Sequence, residues 1–195
     1  LNGAVLTDTS GNAALLTSSA VTSNASYIVD TTAPILKTMV FDKSSLKTSE
    51  TATVTFTFSE DVSSTFTWNG TAGDLSLTGG TLSAISSFVL SGSDYVATAT
   101  FTPTAGSTAT GIVSTALAAY SDAAGNAGNV GNSASIAIDT VAPSLTTMNI
   151  SGASGILSNT LNAGDVVEVT ATFNEAVLVN GTGNKPQVQL NIGGT

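Results

Sequence analysis

Cysteine, histidine and arginine are absent from this 195-residue chain, and four lysines are its only cationic side chains. Without Cys there is no disulfide and no thiolate ligand. Without His, imidazole acid–base catalysis and most zinc sites are excluded. The lysines face 13 acids, for a net charge of −9. Nucleic acid is therefore not an expected partner, because binding phosphates takes Lys and Arg. An anionic membrane surface is disfavoured for the same reason. Charged residues of both signs make up only 9% of the chain, against about a quarter in an ordinary globular domain. No stretch reaches the ~18 apolar residues of a membrane span, so membrane insertion is not expected. There is no initiator Met and no signal peptide, and the chain starts and stops inside its own pattern. The expectation is a slice of a longer protein.

Hydrophobic residues make up 42%, enough for a packed core. Thr, Ser, Gly, Ala and Asn fill much of the rest, a mixture that disfavours helices. Alternation dominates. "TATVTFTFSEDV" (51–62) sets Val54, Phe56 and Phe58 on one face and Thr on the other. "YVATATFTPT" (95–104), "SASIAID" (133–139) and "DVVEVTATF" (165–173) alternate likewise. This is the signal of half-buried strands. Gly-rich breaks at "NGTAGD", "TGG", "SGSD" and "TAGST" separate them, with the spacing of a β-sandwich. The fold class expected is all-β, with about seven strands per module.

The chain repeats itself. "VDTTAPILKTMVFD" (29–42) matches "IDTVAPSLTTMNIS" (138–151), "TATVTFTFSEDV" matches "VVEVTATFNEAV" (166–177), and "DTSGNA" (8–13) matches "DAAGNA" (122–127). The offset is 109 residues from Asp30 to Asp139 and 115 from Glu60 to Glu175, so the modules are related with insertions. The expected order is the end of one module (1–29), a complete module (30–139) and the opening of a third (140–195). Pro34 and Pro143 stiffen the two junctions.

The phrases "DTTAP", "VTFTFSEDV", "GTLSAI", "YVATATFTPTAG" and "YSDAAGNAGN", in this order over 30–139, resemble the bacterial Ig-like repeats of large secreted adhesins, including the RTX and type I-secreted kind, and of other surface proteins. The flanking pieces resemble a second, related type of bacterial Ig-like repeat. The resemblance implies a seven-stranded Ig-like sandwich, tandem arrays, Ca2+-dependent rigidity and an extracellular stalk at the bacterial surface. The neighbouring modules of the same chain would be its partners.

Strand directions can be traced without the family. Strand A (about 35–42) runs down, B (51–59) up, C down from near Ser64, D (81–89) up, E (95–103) down, F (111–119) up and G (132–139) down. The entering linker and the B–C, D–E and F–G loops then share one pole. That pole collects Asp30 from the linker, Glu60 and Asp61 from the B–C turn, and Asp122 with the amide of Asn126 from the F–G turn; Asp94 is more peripheral. Clustered carboxylates repel unless a cation binds them, and Ca2+ takes six to eight oxygen ligands. In the next module Asp139 and Glu175 repeat the linker and B–C ligands, and in the first Asp8 and Asn12 repeat the F–G ligands. Asp42 approaches the second junction from the other side.

Simpler readings compete. D-x-x-G-N is also turn chemistry, with Asp capping its own turn and Gly left-handed. Asp61 is the weaker acid of its pair, because Ala176 stands at its place in the third module. Glu60 with Asp61 as a glycosidase pair lacks an aromatic platform, and Trp68 suits the core, so no enzyme is expected. "NGT" at 69–71 and 180–182 fits a glycosylation acceptor but also a plain turn. "SGASGILSN" (151–159) is a loop without the Gly-Lys-Ser/Thr of a phosphate cradle. The leading expectation is a Ca2+-stiffened structural spacer in an adhesin stalk. The alternatives are a self-assembling filament or surface-layer subunit, with other chains of its kind as partners, and a module that binds carbohydrate or a host protein.

Overall fold

A computed structural model describes residues 6–15, 26–128, 133–158, 160–183 and 187–189. The chain forms two units, Leu1–Thr32 and Ala33–Thr195.

In the second unit, two sheets face each other. One has the order β1 (Leu36–Phe41), β3 (Ala52–Phe58), β7 (Asp94–Pro103), β5 (Gly80–Leu82), with β6 (Val89–Ser91) also on β7. The other has the order β2 (Ser45–Lys47), β9 (Ser133–Asp139), β8 (Gly111–Thr115), β4 (Leu75–Thr78). After β1 the chain changes sheet, and β2 runs parallel to β9. Every other pairing within these two sheets is antiparallel among the described residues. The all-β Ig-like sandwich expected from the sequence is thus present, with nine strands among the described residues in place of about seven, because the first expected strand continues into β2 of the other sheet and the fourth is divided into β5 and β6.

The alternation in β3 is realised without a break: Ala52, Val54, Phe56 and Phe58 are buried while Thr53, Thr55 and Thr57 face outward at intermediate exposure. The facing sheet buries Val113, Ile136 and Ile138 in the same core, and β5 and β7, in the same sheet as β3, add Leu82 and Phe101. Fully burying each such side chain contributes about 1.5–3 kcal/mol. At the upper end of the core, Phe58, Phe66 and Tyr120 pack with ring centroids 4.9–5.9 Å apart.

Strands C and D depart from the expected spans. The segment after Glu60 first makes a turn, with Thr65 N–H and Phe66 N–H both donating to Val62 C=O. Trp68 then makes a single bridge to Gly73 before β4 begins. The 81–89 strand splits into β5 and β6. Between them Ser83 and Ser86 accept Thr100 N–H and Thr98 N–H through their hydroxyls, at 2.9 Å each. Side chains replace main-chain carbonyls there, so the ladder is interrupted.

The remaining strands, β10 (Leu145–Ser154) and β11 (Val166–Phe173), form a two-stranded sheet. Its register repeats that of β1–β3: Leu145 faces Phe173 as Leu36 faces Phe58, and Met148 faces Ala171 as Met39 faces Phe56. Both pairs carry a bulge after the first contact. Leu145, Met148, Ile150 and Phe173, equivalents of core residues in the complete module, are exposed.

Candidate metal centre

Three sets of hydrogen bonds assemble the upper pole of the complete module. Ile35 N–H donates to Ser59 Oγ at 2.9 Å, and Ser59 N–H returns to Ile35 C=O at 2.9 Å. Leu36 N–H donates to the hydroxyl of Tyr120 at 2.9 Å, and that tyrosine is 2% exposed. Burial pushes the Tyr120 phenol above its ordinary value. Thr65 Oγ1 accepts Ser121 N–H at 3.1 Å and donates to Ser121 C=O. The start of β1, the turn after β3 and the β8–β9 loop are therefore fastened together, and Glu60 and Asp122 each directly follow a fastened residue.

Gly128 makes the Tyr120 contact sterically feasible. A Cβ there would lie 2.3 Å from the Tyr120 ring. Its N–H also donates to Tyr120 C=O at 2.8 Å.

Glu60 and Asp122 bring carboxylate oxygens within 4.8 Å of one another. Oxygens on opposite sides of one Ca2+ lie at most about 5 Å apart, from Ca–O distances of 2.3–2.6 Å, so one ion fits between them. Asp122 is buried, at 5% exposure. It accepts Asn126 N–H at 2.8 Å and Asn126 Nδ2–H at 2.7 Å. The Asn126 side-chain amide holds the Asp122 carboxyl below its ordinary value; backbone N–H groups add to this, and burial opposes it. The acid is thereby kept ionised. Carboxylate oxygens with no Cys or His nearby suit a hard cation, Ca2+ or Mg2+, over zinc or copper.

Asn126 was expected to offer its amide oxygen, but the contact observed is its nitrogen orienting Asp122. The same turn recurs around Asp8: Oδ1 accepts Ser10 N–H and Asn12 N–H at 2.9 Å each, and Oδ2 accepts Asn12 Nδ2–H at 2.8 Å. Asn12 likewise lowers the Asp8 pKa. Gly11 and Gly125 both sit at φ 90°, a value that favours glycine. Asp30, in the first unit, accepts Thr32 N–H at 3.0 Å.

The other acids divide. Asp61 caps its own turn by accepting Ser63 N–H at 2.9 Å; the Ser63 hydroxyl, then its backbone N–H, lower its pKa. It does not share the close approach of Glu60 and Asp122. Asp94 pairs with Lys37, and Asp42 accepts Thr53 N–H at 2.8 Å. Asp139 accepts Val141 N–H at 3.3 Å, as Asp30 accepts Thr32 N–H. Glu175 Oε1 is buried and has no hydrogen-bond partner among the described residues. Beside it, Ser144 N–H donates to Asn174 Oδ1 at 2.6 Å and Asn174 N–H to Ser144 C=O at 3.0 Å. The latch between linker and strand end thus recurs at the second junction.

One residue was missed by the sequence reading. Thr140, 7% exposed, follows the linker acid. Its hydroxyl accepts Ser107 N–H at 2.9 Å and donates to Thr104 C=O at 2.7 Å and Ser107 C=O at 3.1 Å. Its own N–H donates to Ser107 C=O at 2.9 Å, and its C=O accepts Thr48 Oγ1–H at 3.2 Å. The outgoing linker is thereby pinned to the lower end of the module it leaves. The repeat carries a signal for this position: both linkers read D-T-x-A-P, at 30–34 and 139–143.

The two facing sheets and their order define an Ig-like module. The bacterial Ig-like domain family matches residues 30–138, more than half of the chain, and the chain belongs to that family. Domains of this family typically occur in extracellular or surface proteins. No curated protein and no solved structure matches the chain.

Proposed function

We propose that the chain is a structural spacer in the extended stalk of a secreted bacterial surface adhesin, non-catalytic, and stiffened by Ca2+ where one module joins the next. The approach of Glu60 and Asp122 at the pole where the linker enters carries this reading. A cation held by Glu60 and Asp122 ties the turn after β3 to the β8–β9 loop, beside Ile35, which is bonded to Ser59. The linker acid Asp30 is the further ligand that the repeated sequence nominates. Asp139 and Glu175 begin the equivalent set at the second junction, and the unpartnered Oε1 of Glu175 is consistent with a ligand role there.

The test is small-angle scattering and thermal melting of the chain with Ca2+ and with EGTA at low magnesium. Chelation is expected to broaden the distribution of intramolecular distances and lower the melting temperature. Profiles and melts that coincide in the two conditions contradict the proposal.

A second reading, self-assembly, draws on β10–β11. Its core-type residues are exposed, and among the described residues β11 has no neighbour corresponding to β7 of the complete module. Strands of another copy can pair there. Electron micrographs showing only single chains count against it.

A further inference from the structure

The two Asn-Gly-Thr stretches play no part in the cation site, yet they share one Asn–Thr contact, although Gly70 lies at φ 101° and Gly181 does not have a positive φ. Asn69 Oδ1 accepts Thr71 N–H at 2.9 Å, Thr71 Oγ1–H at 3.0 Å and Ala72 N–H at 2.9 Å. Asn180 Oδ1 accepts Thr182 N–H at 3.0 Å and Thr182 Oγ1–H at 2.6 Å. Backbone N–H groups can only donate, so the accepting atom in each case is the oxygen, and Nδ2 is the other end of the amide. No group among the described residues bonds that nitrogen, and both asparagines are exposed and outside the strands. The motif also recurs by module, nine residues after Glu60 and five after Glu175.

We propose that Asn69 and Asn180 are acceptor sites for N-linked glycosylation, and that the shared contact of each asparagine with its threonine presents them for it. The substrate class is a sugar joined through its anomeric carbon to a diphosphate. Asn Nδ2 forms a bond to that carbon as the carbon–oxygen bond to phosphate breaks. The diphosphate leaves with the bonding pair, and the Nδ2 proton passes to a base of the transferase. The threonine hydroxyl, donating to Oδ1, polarises the amide and eases loss of that proton. Beside Asn180, a Cβ at Gly181 would meet nothing within 4 Å, so the approach there is open.

The chain carries its own control. Asn149-Ile150-Ser151 has the same acceptor pattern, but it lies in β10, where Asn149 is paired with Thr170. Ser151 Oγ is bonded across to β11, accepting Thr170 Oγ1–H at 2.7 Å, and does not reach back to its asparagine. Asn24, in "NAS", lies outside the described residues.

The experiment incubates the folded full chain with an asparagine-directed glycosyltransferase and UDP-glucose, followed by peptide mapping by mass spectrometry. Hexose is expected on Asn69 and Asn180 and not on Asn149. Thr71→Ala is expected to abolish the modification at Asn69 alone, while Thr71→Ser retains it. Absence of hexose at both asparagines overturns the proposal, whether or not a peptide spanning 65–74 is modified. Equal modification of Asn149 overturns the claim that this contact selects the site.

Discussion

Replacing Thr140 with Val preserves shape and removes one hydroxyl. That hydroxyl joins the linker to Thr104 and Ser107 by three contacts of 2.7–3.1 Å. Valine leaves Ser107 N–H without its acceptor and Thr104 C=O without its donor in a part-buried setting. A hydrogen bond contributes about 1 kcal/mol net, and a stranded buried partner costs more, so the loss should be about 2–3 kcal/mol. At about 4 °C per kcal/mol for a module of this size, melting should fall by about 8–12 °C. Thr140→Ser keeps the hydroxyl and should lose much less. Differential scanning calorimetry of the three chains in one buffer measures both effects. A Thr140→Val chain that melts with the wild type would refute the reasoning, because the bonds would then be worth no more than those to water.

Asp122 and Asp8 are held below their ordinary value near 3.8. The unfolded chain therefore binds these protons at higher pH than the folded one. The stability they confer is fully present above that value and is lost as pH falls through the lower, folded one. Asn126→Ala should raise the Asp122 titration and flatten this acid-side dependence, read as melting temperature against pH in chelator; an unchanged profile would contradict it. Gly128→Ala drives a methyl group into the Tyr120 ring and should cost about 1–3 kcal/mol as overpacking, seen as a lower urea midpoint at unchanged slope.

The alternating segments were legible because their two faces meet different surroundings. Phe56 and Thr57 differ in polarity as they differ in burial, so β3, β7 and β9 follow from period alone. The shared pole was legible because antiparallel order fixes which loops are neighbours, and the approach of Glu60 to Asp122 bears this out. Strands C and D were not legible. Ser83 and Ser86 carry ladder bonds on their side chains, and no hydropathy pattern records that. Thr140 escaped because a threonine in a β-rich, Thr-rich chain looks like any other; the repeated D-T-x-A-P marks its position, but its partners 33 and 36 residues upstream are what give it a role. Asn126 shows the same limit, since composition offers both ends of its amide and only coordinates show which one faces Asp122.

The central claim is that Glu60 and Asp122 help hold one Ca2+ at the head of the module. Calorimetric titration of Ca2+ into the chelator-treated chain, beside a Glu60→Gln/Asp122→Asn double variant, tests it most directly. The account predicts saturable binding to the wild type and loss of one binding event in the variant. Equal binding by both chains, or no binding by the wild type, would contradict it.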